Sequence, residues 1–201
     1  MHLKNTLEYP TDRTMVIGID GPDGVGKTTI LKILQSEISS VKIVSCDFDM
    51  PKDVCEFYKQ TIKANSIKQW ILFYDVYTSL IRKFSKEAEI VFTDRCLLSH
   101  IVYQLLLQND FDKQYINYML YKYGRVWNFV FVLLQQPEII KQNMRQRNTD
   151  YTYFDKIDQI TKHFFELVKN TYQLEFPFEV VPVLNSDIES TIWFIKTYLQ
   201  L

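Results

Sequence analysis

Residues Met15 to Leu31, reading MVIGIDGPDGVGKTTIL, leave this chain few ways to fold. Met15, Val16, Ile17 and Ile19 form an apolar run, which reads as a strand buried on both faces. It empties into Gly21-Pro22-Asp23-Gly24-Val25-Gly26-Lys27-Thr28, which fits G-x-x-x-x-G-K-[ST] at every fixed position. A helical pattern follows at once, with Ile30, Leu31, Ile33, Leu34 and Ile38 on one side. Strand, glycine loop and helix in that order open a βαβ unit, and so a parallel sheet. Of the five glycines in the chain, Gly18, Gly21, Gly24 and Gly26 all lie here. Such a loop lets backbone N–H groups close on phosphate oxygens, and the helix N-terminus adds partial positive charge. The expected phosphate cradle is Gly21, Gly24, Val25, Gly26, Lys27, Thr28 and Thr29, with Lys27 on the β and γ phosphates and the Thr28 hydroxyl on Mg²⁺.

The rest of the chain keeps the alternation. Strands are expected at 41–46, 89–94, 129–134 and 179–183. Between them fall helices at about 52–64, 66–86, 97–108, 111–123, 137–147, from the link at 148–150 to about 174, and 188–199. Short apolar strands alternating with helices predict an α/β fold on a mostly parallel sheet. Ligands in such sheets sit at the carboxyl ends of the strands. That rule gathers Asp23, Asp47, Asp49, Asp94 and Arg95 at one rim.

At 201 residues and 47% hydrophobic content, one domain (14–201) behind a polar N-terminal extension (1–13) is expected. With 23 basic and 24 acidic side chains, a nucleic-acid polymer is not the expected partner. No run approaches the ~18 apolar residues of a membrane span, and residues 1–13 lack the apolar stretch of a secretory leader. Cys46, Cys55 and Cys96 have neither metal-knuckle nor disulfide-frame spacing, which suits a cytoplasmic placement.

Several side chains carry chemistry. Asp94 ends an apolar strand, where a carboxylate either holds Mg²⁺ beside the phosphate loop or caps the next helix. Arg95 beside it is a fork donor suited to phosphate. Arg145 and Arg147, with Lys141 and Lys156, either favour a helix dipole or form a basic flap that closes over a triphosphate. Trp70, Phe73, Tyr74 and Tyr77 follow i, i+3, i+4, i+7 spacing, which reads as packing, with one or two rings free to stack on a base. Trp127 and Trp193 read as core.

The segment from Asp94 to Gln104 resembles the D-R-Y-x-x-S-x-x-A-Y-Q segment of the thymidylate kinase family, one of the P-loop kinases. Asp94, Arg95, Ser99, Tyr103 and Gln104 match, and Cys96 replaces the tyrosine. Asp155-Lys156-Ile157-Asp158 stands where that family's lid reads D-R-x-E. The resemblance implies a five-stranded parallel sheet flanked by helices, a lid at about 145–157, a homodimer, small-molecule nucleotide substrates, and ATP with Mg²⁺ for transfer to a deoxynucleoside monophosphate. It implies that Lys27, Asp94, Arg95, Arg145 and Arg147 serve transfer. Asp23 would hold the sugar 3′-OH and Arg95 the acceptor phosphate, with Phe73, Tyr103 and Gln104 around sugar and base. Gly24 stands where one branch of the family has a loop arginine.

Two departures open an alternative. The loop after strand two, Cys46-Asp47-Phe48-Asp49-Met50-Pro51-Lys52, is acidic where that family has an arginine for the acceptor phosphate, and Tyr77 replaces its base-reading arginine. An acidic loop there resembles the deoxynucleoside kinases, with Asp47 or Asp49 as base toward a 5′-OH. A hydroxyl nucleophile benefits from a positioned base, whereas an anionic phosphate is repelled by two carboxylates. A nucleotide-hydrolysing switch and a polynucleotide 5′-kinase are further alternatives, the first without an N-K-x-D motif to support it.

Overall fold

The computed structural model describes residues 14–64, 66–107, 112–147 and 153–201. The expected 1–13 extension and the centre of the expected lid, 148–152, lie outside the described residues. Strands β1 (Met15–Asp20), β2 (Val41–Val44), β3 (Ile90–Asp94), β4 (Phe129–Leu134) and β5 (Glu179–Leu184) form one sheet. Its order is β2-β3-β1-β4-β5 with every neighbouring pair parallel, so this is an α/β fold. Helices α1 (Lys27–Glu37), α2 (Lys52–Ala64), α3 (Ile67–Phe84), α4 (Leu97–Leu107), α5 (Lys113–Tyr123), α6 (Pro137–Gln146), α7 (Ile157–Val168) and α8 (Ile188–Leu199) flank it.

Successive strand side chains point to opposite faces, and the core divides accordingly. Ile17, Ile19, Phe92, Phe129 and Phe131 pack with Ile30, Leu31 and Leu34 of α1 and Ile192 and Ile195 of α8. Val16, Val91, Val130 and Val132 belong to the other layer, with α3, α4, α5 and α7. Apolar runs rather than alternation are what a sheet covered on both faces requires.

Two expectations are corrected. The helix after the lid stops at Val168, not near Leu174, because Asn170 (φ 52°) and Gln173 (φ 51°) turn left-handed. The Asn170 side chain then accepts from the Leu174 N–H at 2.9 Å. Trp193 is 68% exposed, since α8 turns Ile192, Ile195 and Leu199 inward instead. Trp127 is buried as expected, its indole N–H donating to Thr93 Oγ1 at 2.9 Å.

Strand order places β1 between β3 and β4. The loop after β1 therefore meets the carboxyl end of β3, which brings Asp23 beside Arg95.

Candidate active site

Where β1 gives way to the glycine loop, Asp20 is a buried carboxylate with a full set of donors. It accepts the N–H groups of Gly21 (2.8 Å), Cys96 (3.0 Å) and Ser99 (3.0 Å), the Cys96 thiol (3.0 Å) and the Ser99 hydroxyl. One side chain thus fastens the phosphate loop to the start of α4. Gly21 adopts φ +135° with the Leu133 carbonyl 2.5 Å from where a Cβ would stand, so no other residue fits.

Lys27, in the first turn of α1, reaches back across the loop and donates to the carbonyls of Gly21 (2.9 Å) and Pro22 (2.7 Å). Burial and the like charge of Arg95 push its pKa down to about 8, against the pull of Asp23, Asp94 and Asp20. Thr28 follows it, half-buried. On the outer side of the loop a cleft of about 370 Å³ is lined by Gly24, Val25, Gly26, Thr29, Asn143 and Arg147, among others. Asn143 Nδ2 donates to the Gly24 carbonyl at 3.2 Å, and Asn185, after β5, donates to that of Val25.

On the inner side lies a cavity of about 280 Å³. Asp23, Asp47, Asp94 and Arg95 line it, as do Phe73, Tyr77, Tyr103 and Gln104. Arg95 turns the chain from β3 into α4 with φ 76°, a left-handed conformation costing about 1–2 kcal/mol in a non-glycine residue. Its N–H donates to the Ile19 carbonyl at 3.0 Å. Its guanidinium pairs with Asp23, donates to Ser99 Oγ at 3.0 Å and lies 5.5 Å from the Tyr103 ring centroid. Burial pushes the Asp23 pKa up, but Arg95, Lys27 and the Tyr103 hydrogen bond outweigh it and hold it below the ordinary value. For Asp94 burial wins over Lys27 and Arg95, and its pKa rises.

The predicted residues divide cleanly. Asp23, Asp47, Phe73, Tyr77, Asp94, Arg95, Tyr103 and Gln104 converge on the cavity. Asp49 does not line it: its carboxylate accepts the Ile43 N–H at 2.8 Å and lies 3.9 Å from Lys42, closing the loop on itself. Arg145 lines neither hollow, its guanidinium standing 5.3 Å from the Phe154 ring centroid, while Arg147 lines the outer cleft. Tyr77 offers the cavity its ring, because its hydroxyl donates to the Arg95 (3.3 Å) and Val44 (3.5 Å) carbonyls.

Sequence reasoning missed Asp20, Asn185 and His100, of which the last is a cavity residue on α4. Asp20 had a signal, the same carboxylate at the end of an apolar strand that marked Asp94. Among the described residues no cluster of three His, Cys, Asp or Glu is placed to hold a metal, and no helix is long and apolar enough to cross a membrane.

Solved structures share this fold. Deoxyadenosine kinase from M. mycoides, with products dCMP and a flexible dCDP bound, is 23% identical with a TM-score of 0.61, over 92% of this chain and 99% of that one. The same enzyme with dATP bound is 22% identical with a TM-score of 0.59, over 93% and 100%. No curated protein matches the chain. The sequence profile described as thymidylate kinase matches residues 19–180, which takes in the end of β1, the glycine loop, the Asp94–Gln104 segment and the start of β5. By that match the chain belongs to the thymidylate kinase family.

Proposed function

We propose that this protein transfers the γ-phosphoryl group of ATP to the 5′-hydroxyl of a deoxynucleoside, with Asp47 as the base. The supporting observation is the charge around the inner cavity. Among the described residues lining it, Asp23, Asp47 and Asp94 are acidic and Arg95 is the one lysine or arginine, already paired with Asp23. A neutral nucleoside enters such a cavity without penalty, while a dianionic 5′-phosphate meets three carboxylates.

In this reading the ATP phosphates lie on the loop from Gly21 to Thr29, with Lys27 exchanging its two carbonyl partners for β and γ oxygens. Thr28 and Asp94 would hold Mg²⁺, which when bound neutralises charge developing on the phosphates. The fit is supported by Asp94 Oδ1, which is buried with no hydrogen-bond partner among the described residues. Mg²⁺ needs few protein ligands beside phosphates and water. Asp47 takes the 5′-OH proton as the oxygen attacks, and Asp23 accepts from the sugar 3′-OH. Arg147 faces the donor. One domain, a lid over 145–157, a homodimer and a cytoplasmic location complete this reading.

A second reading, transfer to a deoxynucleoside monophosphate, is favoured by the Arg95 fork on the same wall. Incubation with ATP, Mg²⁺ and matched panels of deoxynucleosides and their monophosphates separates the two. Monophosphates formed from nucleosides are expected. Diphosphates from monophosphates, with nucleosides untouched, overturn the proposal in favour of the second reading.

A further inference from the structure

Two of the chain's three cysteines and a methionine fall within residues 46–55, as Cys46, Met50 and Cys55. The backbone folds them together. The N–H groups of Phe48 (3.0 Å) and Met50 (3.2 Å) both donate to the Ser45 carbonyl, which carries Met50 back toward Cys46. The Cys55 N–H donates to the Pro51 carbonyl at 3.0 Å in the first turn of α2, and its side chain is buried against the same loop. The Cys46 thiol lies 3.8 Å from the Met50 sulfur and within hydrogen-bond reach of the Cys55 thiol. Cys55 Sγ in turn stands 3.8 Å from the Met50 carbonyl oxygen. Met50 and Cys55 are buried, while Cys46 is exposed and lines the inner cavity.

Three sulfurs so placed form a donor set. Metal–sulfur bonds of about 2.3 Å, three in a plane, set sulfurs about 4 Å apart, and the Cys46–Met50 spacing is 3.8 Å. The kind of ion follows from the other side chains nearby. Among the described residues no His, Asp or Glu joins the two cysteines in a metal-holding group. Asp49 is turned onto the Ile43 N–H and Lys42. A four-coordinate ion such as Zn²⁺ is therefore short of ligands. A thioether beside two thiols selects a soft ion instead.

We propose that Cys46, Met50 and Cys55 bind Cu(I) as a three-sulfur site beside the inner cavity. Burial and the neighbouring Cys55 push the Cys46 pKa up to about 12, so its thiol is protonated before the ion arrives. Binding forms two copper–thiolate bonds and one copper–thioether bond and sends two protons to solvent, with no change of oxidation state. The product carries one negative charge, and Lys59 is the cation whose field acts on Cys46.

Cu(I) itself is the probe, titrated anaerobically into the full-length protein against the chelator bicinchoninate. One equivalent is expected to leave the chelator for the protein, with thiolate-to-copper absorption in the ultraviolet and three sulfurs around the ion by X-ray absorption. Cys46→Ser and Cys55→Ser each abolish this. Met50→Leu, which keeps the side-chain volume, lowers affinity by at least about tenfold and the sulfur count to two. Cys96→Ser, which removes the remaining thiol, changes neither. Copper held equally by the wild type and all four variants, or left with the chelator throughout, overturns the inference. So does a wild type with two sulfurs on the ion and an affinity that Met50→Leu leaves unaltered, which makes the cysteines a thiol pair only. Should a cysteine variant fail to fold, Met50→Leu and the wild-type sulfur count decide. No nucleotide enters the titration, so its outcome is independent of the proposed phosphoryl transfer.

Discussion

The Tyr103 hydroxyl donates to Asp23 Oδ2 at 3.0 Å across 80 residues of sequence, and Arg95 holds the other oxygen of the same carboxylate. Asp23 is thus aimed by two side chains of the Asp94–Gln104 segment. Asp23→Asn keeps the shape but loses the charge, and kcat/KM for a deoxynucleoside should fall at least about tenfold, one charged hydrogen bond's worth. The loss should shrink for a 3′-deoxy acceptor, which has no hydroxyl to lose. Steady-state kinetics on the two substrates with both proteins closes that cycle.

Lys27 ties activity and stability to pH in opposite directions. Its pKa is pushed from the ordinary 10.5 to about 8 in the fold. Between those values the unfolded chain binds the extra proton, so its contribution to unfolding free energy rises with pH from about 8 to about 10.5. Capture of ATP by the free enzyme needs the ammonium, so kcat/KM for ATP should decline as pH passes about 8. Urea denaturation of the ligand-free protein and initial rates across the same range check both limbs. Lys27→Met should abolish the stability rise together with turnover.

The two carboxylates after β2 should separate on substitution. Asp47→Asn removes the proposed base and should lower kcat by about 10²–10⁴. Asp49→Asn should leave kcat near the wild-type value and destabilise the protein by about 1 kcal/mol, through the weakened bond to the Ile43 N–H. Rates alongside thermal unfolding of the two variants discriminate loss of chemistry from loss of loop support.

Gly24 cannot accept the arginine that one branch of the family carries there. Its φ is +80°, and a Cβ would stand 2.6 Å from Met144 Cγ and 3.1 Å from the Ile140 carbonyl. Gly24→Arg should therefore cost about 2–4 kcal/mol in stability, from left-handed backbone and overpacking together, and gain no rate. Differential scanning calorimetry reads this directly.

Much of this arrangement was legible because the signals were local. The glycine loop, the strand ending on Asp94 and the spacing of Ser99, Tyr103 and Gln104 each sit within a dozen residues, and the parallel-sheet rule joined them. What escaped depended on contacts distant in sequence. Asp49 reads like Asp47 until the loop folds its carboxylate onto Ile43. Arg145 and Arg147 read alike until the end of α6 sends one to Phe154 and the other to the outer cleft. His100 carried no motif, and its partner Tyr115 stands on the next helix. Trp193 was misplaced because bulk is a weaker guide to burial than helical phase.

The Asp20 carboxylate, shared between Gly21 on one side and Cys96 and Ser99 on the other, makes the glycine loop and the α4 wall of the inner cavity parts of one anchored unit. The reach from one substrate to the other is then a dimension of the scaffold itself. Evolution, or an engineer, is left free to retune the cavity lining along α2 and α3 while the interval across which phosphorus travels stays constant.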